Sequence, residues 1–304
     1  MELGLKVDVC TYGGMRGGVP NLLRLFDRLN VRVSFFVAVG PDRSGWALRR
    51  LVRPGFLQKM WRTRAVRTYG WRTLLYGTLL PAPHIGKKCA GLLREIVSAG
   101  HELAVHGYDH VRWQDCLPQL TREEIAAELS RAWEFVQEAT ATTPQAFGAP
   151  GWQCTELSLR CEDELRLLYH SDTRGRCPYY AVAGGHTFRT LEVPTTLPTL
   201  DETWGSVSRD SDELCRWYTA RMQPGTNVYT AHAEMEGRDY AGFLRLWLET
   251  LVARGVKVVR LDELARAQGQ APRCRVEAGR LPGRAGTVAL QGACIDGDAT
   301  AEQG

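Results

Sequence analysis

Long apolar runs are missing from this sequence. None approaches the about 18 residues of a membrane-spanning helix, and the longest, residues 31–40, has the length of a core strand. The N-terminus, Met1-Glu2-Leu3-Gly4-Leu5, lacks the basic stretch and apolar core of a secretory leader. It reads as a strand that begins almost at once. Cysteine pairs at metal-binding or redox spacing are absent too. The nine cysteines are odd in number and scattered, so free thiols in a reducing, cytoplasmic setting are expected. Histidine is scarce, with seven in 304 residues, which makes its placement informative. Acidic residues are wholly missing from residues 43–88, which carry eleven Lys and Arg. Since the net charge is +4, the rest of the chain sums to −7.

Apolar content of 44% and charged content of 24% suit a folded domain of this length. There is no internal repeat. Leu3, Leu5, Val7 and Val9 alternate as in a strand, and Leu22, Leu23, Leu25, Phe26 and Leu29 follow at helical spacing. Further helices are expected over residues 90–99, 121–140, 156–168 and 240–254, and strands over 31–39, 102–105, 167–171, 191–193, 227–230 and 257–260. Thr121-Arg122-Glu123-Glu124 has the form of a capping box. Strands alternating with helices imply parallel βαβ units. The expected fold is therefore α/β, a distorted (β/α)7-type barrel over residues 1–268. Residues 43–88 form a basic, largely helical insertion, and 269–304 a poorly ordered tail. In such barrels active sites gather at the C-terminal ends of the strands. Asp8, His106, Asp172 and His232 all fall at or just past expected strand ends.

The insertion mixes its cations, Arg53 among them, with Trp46, Trp61, Trp71 and several leucines. Basic, aromatic-rich amphipathic segments lie well on anionic membrane surfaces. The competing reading is an apolar helical face packed on the barrel with solvated charges behind it. No nucleic-acid-binding module accompanies the charge, so no nucleic-acid partner is expected.

Three groups of residues carry chemistry. His106-Gly107-Tyr108-Asp109-His110 sets two imidazoles four apart, as on one face of a helical turn, a spacing that fits one divalent metal or two unrelated histidines. Asp8 and Cys10, two apart on a strand, face the same side. A carboxylate and a thiol there fit a base beside a zinc ligand, or equally a turn cap beside a small buried residue. His232, just past an apolar stretch and followed by Glu234, is a candidate general acid with a carboxylate to tune it.

Taken together these motifs resemble the polysaccharide deacetylases, carbohydrate esterase family 4. Within that family the sequence is most similar to the 4-deoxy-4-formamido-L-arabinose-phosphoundecaprenol deformylases. The resemblance runs from about Leu3 to Arg260. It includes Asp8 with Arg16-Gly17-Gly18-Val19-Pro20, Leu51-Val52-Arg53-Pro54-Gly55-Phe56-Leu57, the His106–His110 motif with Trp113-Gln114, and Gly151-Trp152. It continues through Ser171-Asp172-Thr173-Arg174-Gly175, Thr196-Leu197-Pro198-Thr199-Leu200-Asp201-Glu202 and residues 229–237.

The resemblance implies Asp8 as general base, His106 and His110 as metal ligands and His232 as the acid. Cys10 stands where the family has a metal-binding aspartate, which favours zinc, with cobalt or manganese as alternatives. Gly148-Ala149-Pro150-Gly151 stands where the family has an arginine, and Arg174 is the candidate to supply that charge. Asp172, Arg174, Trp152 and Glu234 are candidate substrate contacts. The implied reaction is deformylation of an undecaprenyl-phosphate-linked sugar in lipid A modification, at the cytoplasmic face of the inner membrane. The alternatives are an N-acetylated sugar substrate, or a lipid-binding homologue that Cys10 has left inactive.

Overall fold

In the computed structural model, which describes residues 1–47 and 70–295, strand β1 (Glu2–Val9) lies at the centre. Its residues are buried from Leu3 onward. One edge pairs with β8 (Thr226–His232) and the other with β2 (Ser34–Val37), both parallel. At its start it also pairs with β9 (Lys257–Val259). From β2 the sheet continues through β3 (Glu102–Val105), β4 (Ala146–Phe147), β5 (Tyr169–His170) and β7 (His186–Glu192), each parallel to the last. The antiparallel β6 (Tyr179–Ala183) then follows β7.

Seven parallel strands thus curl from β8 round to β7. Their outer edges meet without a regular ladder. Thr196 and Leu197 both donate backbone N–H groups to the Val228 carbonyl, at 3.1 and 3.0 Å, and the Thr195 and Thr230 hydroxyls lie 2.7 Å apart. This is the α/β fold that alternating patterns imply, a single curled sheet whose two outer parallel strands are bridged by side chains and loop backbone and not by a strand ladder.

Helices Val19–Leu29, Ile85–Ser98, Arg122–Thr140, Glu156–Glu164 and Ala241–Ala253 alternate with the strands in the chain. Thr121 and Glu124 form the capping box: the Glu124 N–H donates to Thr121 Oγ1, and the Thr121 N–H to Glu124 Oε2. The first helix buries Leu22, Leu23 and Phe26 in the main core. Within that core Phe26 and Phe35 pack edge-on against His101, whose Nδ1 accepts from the Val33 N–H at 3.2 Å.

Two expectations need correction. The C-terminal region is not a loose tail over its described part. Strands β10 (Arg273–Gly279) and β11 (Val288–Cys294) form an antiparallel hairpin, and β10 joins β6 in parallel. Cys274 is buried with Leu159, Tyr179, Ala181 and Phe188 in a separate apolar cluster. Without the hairpin those aromatics would face water, so a Gly-rich segment is ordered by what it covers. The pairing also sets Cys274 opposite Cys294, and these two form a disulfide while the other seven cysteines are free.

The insertion is described only at its ends. Residues 48–69, with Arg53 and Trp61, lie outside the described residues. Trp46 donates its indole N–H to the Gly77 carbonyl at 2.6 Å, and a 3-10 turn, Thr73–Leu75, precedes the helix that starts at Ile85. Trp71 and Leu79 stand in solvent, 61% and 80% exposed. No helix among the described residues is long and apolar enough to cross a membrane.

Two measurements test this packing. Deleting residues 269–304 should cost at least as much stability as losing one buried aromatic, about 3 kcal/mol. A truncated chain with an unchanged denaturation midpoint would show the hairpin to be peripheral. His101 is pushed down to about 4, first by burial and then by Arg32 and Arg260. The unfolded chain therefore takes up a proton near pH 6.5 that the folded chain refuses until about pH 4. Stability should fall as pH drops through that window, by up to about 1.4 kcal/mol per pH unit from this group. His101→Gln should flatten that part of the profile.

Candidate active site and metal centre

The site is built at the C-terminal ends of β1, β3 and β8. Parallel register puts Asp8 of β1 directly beside His232 of β8, and the Ala233 N–H donates to the Asp8 carbonyl at 2.9 Å. Cys10 follows two residues after Asp8. His106 leaves β3, held by its N–H to the Val37 carbonyl.

The two motif histidines do not share a helical turn, as their spacing had implied. His106 directly follows the strand Glu102–Val105, and His110 is the first residue of the helix His110–Cys116. Between them Gly107 turns the chain at φ 80°, and a Cβ there would meet Pro150 at 3.2 Å. Asp109 caps the helix by accepting the Arg112 N–H at 3.0 Å and pairs with Arg43 from the base of the insertion. The imidazole centroids end up 5.0 Å apart.

Cys10, His106 and His110 each present a donor atom within 4.8 Å of the others. His106 Nδ1 lies 2.7 Å from the Gly148 carbonyl and donates to it, which leaves the Nε2 lone pair free. Nε2 is 3.8 Å from Asp8 Oδ2. Burial pushes His106 down to about 4, so it is neutral at physiological pH. Burial, with the Glu234 and Asp8 carboxylates, holds the Cys10 thiol well above its usual range. Two imidazoles and a thiol that ionises only against a cation fit a soft or borderline divalent ion such as zinc or cobalt.

A buried polar frame supports these groups. Glu234 Oε1 accepts from the Cys10 N–H, the Thr11 N–H and the Thr11 hydroxyl, at 2.9, 2.7 and 2.9 Å. Glu236, not Glu234, takes the His232 backbone N–H, at 3.0 Å, and also the Tyr229 hydroxyl. His170 sits 2.9 Å from Asp172, 3.1 Å from Glu162 and 3.4 Å from Glu192. Burial works against its charge, yet Glu192 and Asp172 hold its pKa well above the usual value. Glu162, His170 and Asp172 also have the spacing of metal ligands. An imidazolium facing carboxylates accounts for that cluster. Asp172 uses its other oxygen to accept the Ala149 N–H at 2.7 Å. It thereby fixes the loop whose Gly148 carbonyl orients His106.

Residues 4–169 match the polysaccharide deacetylase family. A Shewanella sediminis protein named "Probable 4-deoxy-4-formamido-L-arabinose-phosphoundecaprenol deformylase ArnD" is 38% identical over 237 residues, 78% of this chain and 76% of its own. A Wigglesworthia glossinidia brevipalpis protein of the same name is 29% identical, covering 91% of this chain and 98% of its own. The chain belongs to the polysaccharide deacetylase family.

Solved structures agree in fold. A Pseudomonas aeruginosa structure titled "probable Polysaccharide deacetylase" superposes with a TM-score of 0.60 at 16% identity, over 87% of this chain and 90% of its own. A family 4 acetyl xylan esterase from Clostridium thermocellum, solved with a cobalt ion, gives 0.53 at 14%, over 88% and 91%. Membership makes the chain a hydrolase of amide C–N bonds.

Several candidate substrate contacts turn out to be framework. Asp172 is fully buried with both oxygens engaged, and Glu234 is 1% exposed with its Oε1 held by the Cys10–Thr11 turn. Arg174 does not stand in for the arginine missing from the family pattern. Its guanidinium pairs with Glu202 at 2.6 Å, donates to the Leu197 carbonyl and stacks 5.0 Å from the Trp152 ring. Trp152 borders the site, 6.2 Å from the His232 ring, with Arg284 of the C-terminal hairpin 4.5 Å from its indole. Its indole N–H donates to Thr195.

The residue that sequence reasoning missed is Lys6. It is fully buried, with Nζ 3.6 Å from Asp8 Oδ1. The period-2 alternation that pairs Asp8 with Cys10 extends back to Lys6 and was the available signal.

Glu234→Ala should leave a folded protein whose divalent-metal affinity falls roughly 10–100-fold, because the Cys10 turn loses its anchor. Zinc titration followed by calorimetry measures this, and an unchanged affinity would relieve Glu234 of that role.

Proposed function

We propose that the chain removes the formyl group from 4-deoxy-4-formamido-L-arabinose carried on phosphoundecaprenol, at the cytoplasmic face of the inner membrane. The observation that carries this reading is the convergence of Asp8, Cys10, His106, His110 and His232 at the mouth of the barrel, in a chain 38% identical to a protein of that name. Cys10, His106 and His110 would hold one divalent ion, zinc by preference. When bound, it supplies Lewis acidity toward the formyl oxygen and the attacking water. Asp8 accepts the proton of that water. His232, from the neighbouring strand, donates a proton to the departing nitrogen as the C–N bond breaks. Formate and a free 4-amino sugar result. The amine is a cation, and on lipid A it would lower the affinity of cationic antimicrobial peptides.

The basic stretch supports a lipid-linked substrate. Its described ends carry exposed Leu79 and exposed Trp71, with the Arg72 guanidinium 5.6 Å from the Trp71 ring. Trp46 is tied back to Gly77 at the base of the stretch. Cations flanked by exposed apolar side chains suit an anionic leaflet.

A second reading rests on Cys10 itself: a thiol in the place of a carboxylate leaves a fold that binds lipid without turning it over. Bound metal by elemental analysis, measured with deformylation of the formamido-arabinose lipid, separates the two. The deformylase reading expects about one zinc per chain and turnover in the unaltered protein. Metal and turnover appearing only in Cys10→Asp would establish the inactive homologue. Cleavage of an acetamido but not a formamido sugar would move the substrate to an N-acetylated one.

A further inference from the structure

We infer that Lys6 is the positioning residue for Asp8, an internal ammonium that holds the carboxylate ready to take a proton. This rests on the proposed role of Asp8 as base. Lys6 Nζ donates to the Ser171 carbonyl at 3.0 Å and lies 3.4 Å from the Ser171 hydroxyl, so the β5 end tethers it. It sits 4.5 Å over the Phe36 ring and 5.9 Å from Trp152, walls that keep water from screening its charge. Gly148 leaves the room it needs: a Cβ there would fall 2.9 Å from Nζ and 2.6 Å from the Phe36 ring.

The ammonium faces Asp8 Oδ1 at 3.6 Å, too far for a hydrogen bond, and that oxygen has no hydrogen-bond partner among the described residues. Lys6 therefore fixes the carboxylate by charge while leaving its lone pairs open, which a proton acceptor requires. Among the described residues no other cation is placed to do this. Arg174 is committed to Glu202, and His106 lies on the other side of Asp8, with its Nε2 3.8 Å from Oδ2. Burying an unpaired charge is costly, so Lys6 and Asp8 each make the other tolerable inside the barrel.

The test compares the unaltered chain with Lys6→Met, Lys6→Arg and the Lys6→Met/Asp8→Asn double variant. With Lys6→Met, bound metal and KM should stay near the parent's while kcat falls roughly 10–100-fold, and a crystal structure should show the Asp8 carboxylate turned from its parental position. Lys6→Arg, which keeps the charge, should recover part of kcat. If Lys6→Met fails to fold, the double variant should fold, because it no longer buries a lone carboxylate. The inference is overturned by parental kcat in Lys6→Met, by an unmoved Asp8, or by a double variant no more stable than the single. If the parent itself does not hydrolyse the formamido lipid, the deformylase reading fails separately. The Asp8 position and the double-variant stability still decide the pairing.

Discussion

Strand β1 has no solvent-facing side. It is paired on both edges and covered on both faces, and every residue from Leu3 to Val9 is buried. Any charge placed on it must find its partner inside the protein. Lys6 and Asp8 meet that demand together, two residues apart on one face. The rest of the site follows from their burial. A carboxylate at the end of a central strand, beside His232 in register and 3.8 Å from His106, sits in a low-dielectric setting where small displacements carry large electrostatic consequences.

That sensitivity explains why so much of the surrounding polar structure is framework. Glu234 anchors the turn after Cys10, Glu236 takes the His232 N–H, and Asp172 fixes the Gly148–Ala149 loop. Each ties backbone at or beside a site residue to a buried carboxylate. From the sequence Asp172 and Glu234 look like substrate contacts, because a motif places a residue near a site without saying whether it faces the cavity or the wall behind it. Arg174 misleads in the same way. Only the fold reveals that Glu202, 28 residues away, has already claimed its charge.

The strand-end residues were legible for a different reason. Asp8, His106 and His232 each follow a short apolar run, and a parallel barrel leaves such positions little choice of direction. Helix starts were legible where a cap announces them, as at Thr121. The β10–β11 hairpin was not legible, because its order depends on covering Tyr179 and Phe188, whose need for a cover is tertiary information. Lys6 was hidden for a related reason. A charged residue among alternating apolar ones reads as outward-facing, a rule that holds for strands with one wet face and fails for one buried on both.

Cys10 is the point at which electrostatics and coordination chemistry part. A cysteinate carries the same single negative charge as the aspartate it replaces in the family pattern, so the charge balance with Lys6, Asp8 and a divalent ion is preserved. The bond is what changes. Sulfur binds zinc at about 2.3 Å and oxygen at about 2.0–2.2 Å, and the softer donor disfavours manganese and magnesium. Protonation changes as well: an aspartate is ionised before the ion arrives, whereas burial and the neighbouring carboxylates keep this thiol protonated. Each binding event must then expel a proton, so metal affinity here should depend on pH more steeply than in a chain with aspartate at this position. A thiol at this position would narrow the choice of metal without changing the net charge of the site.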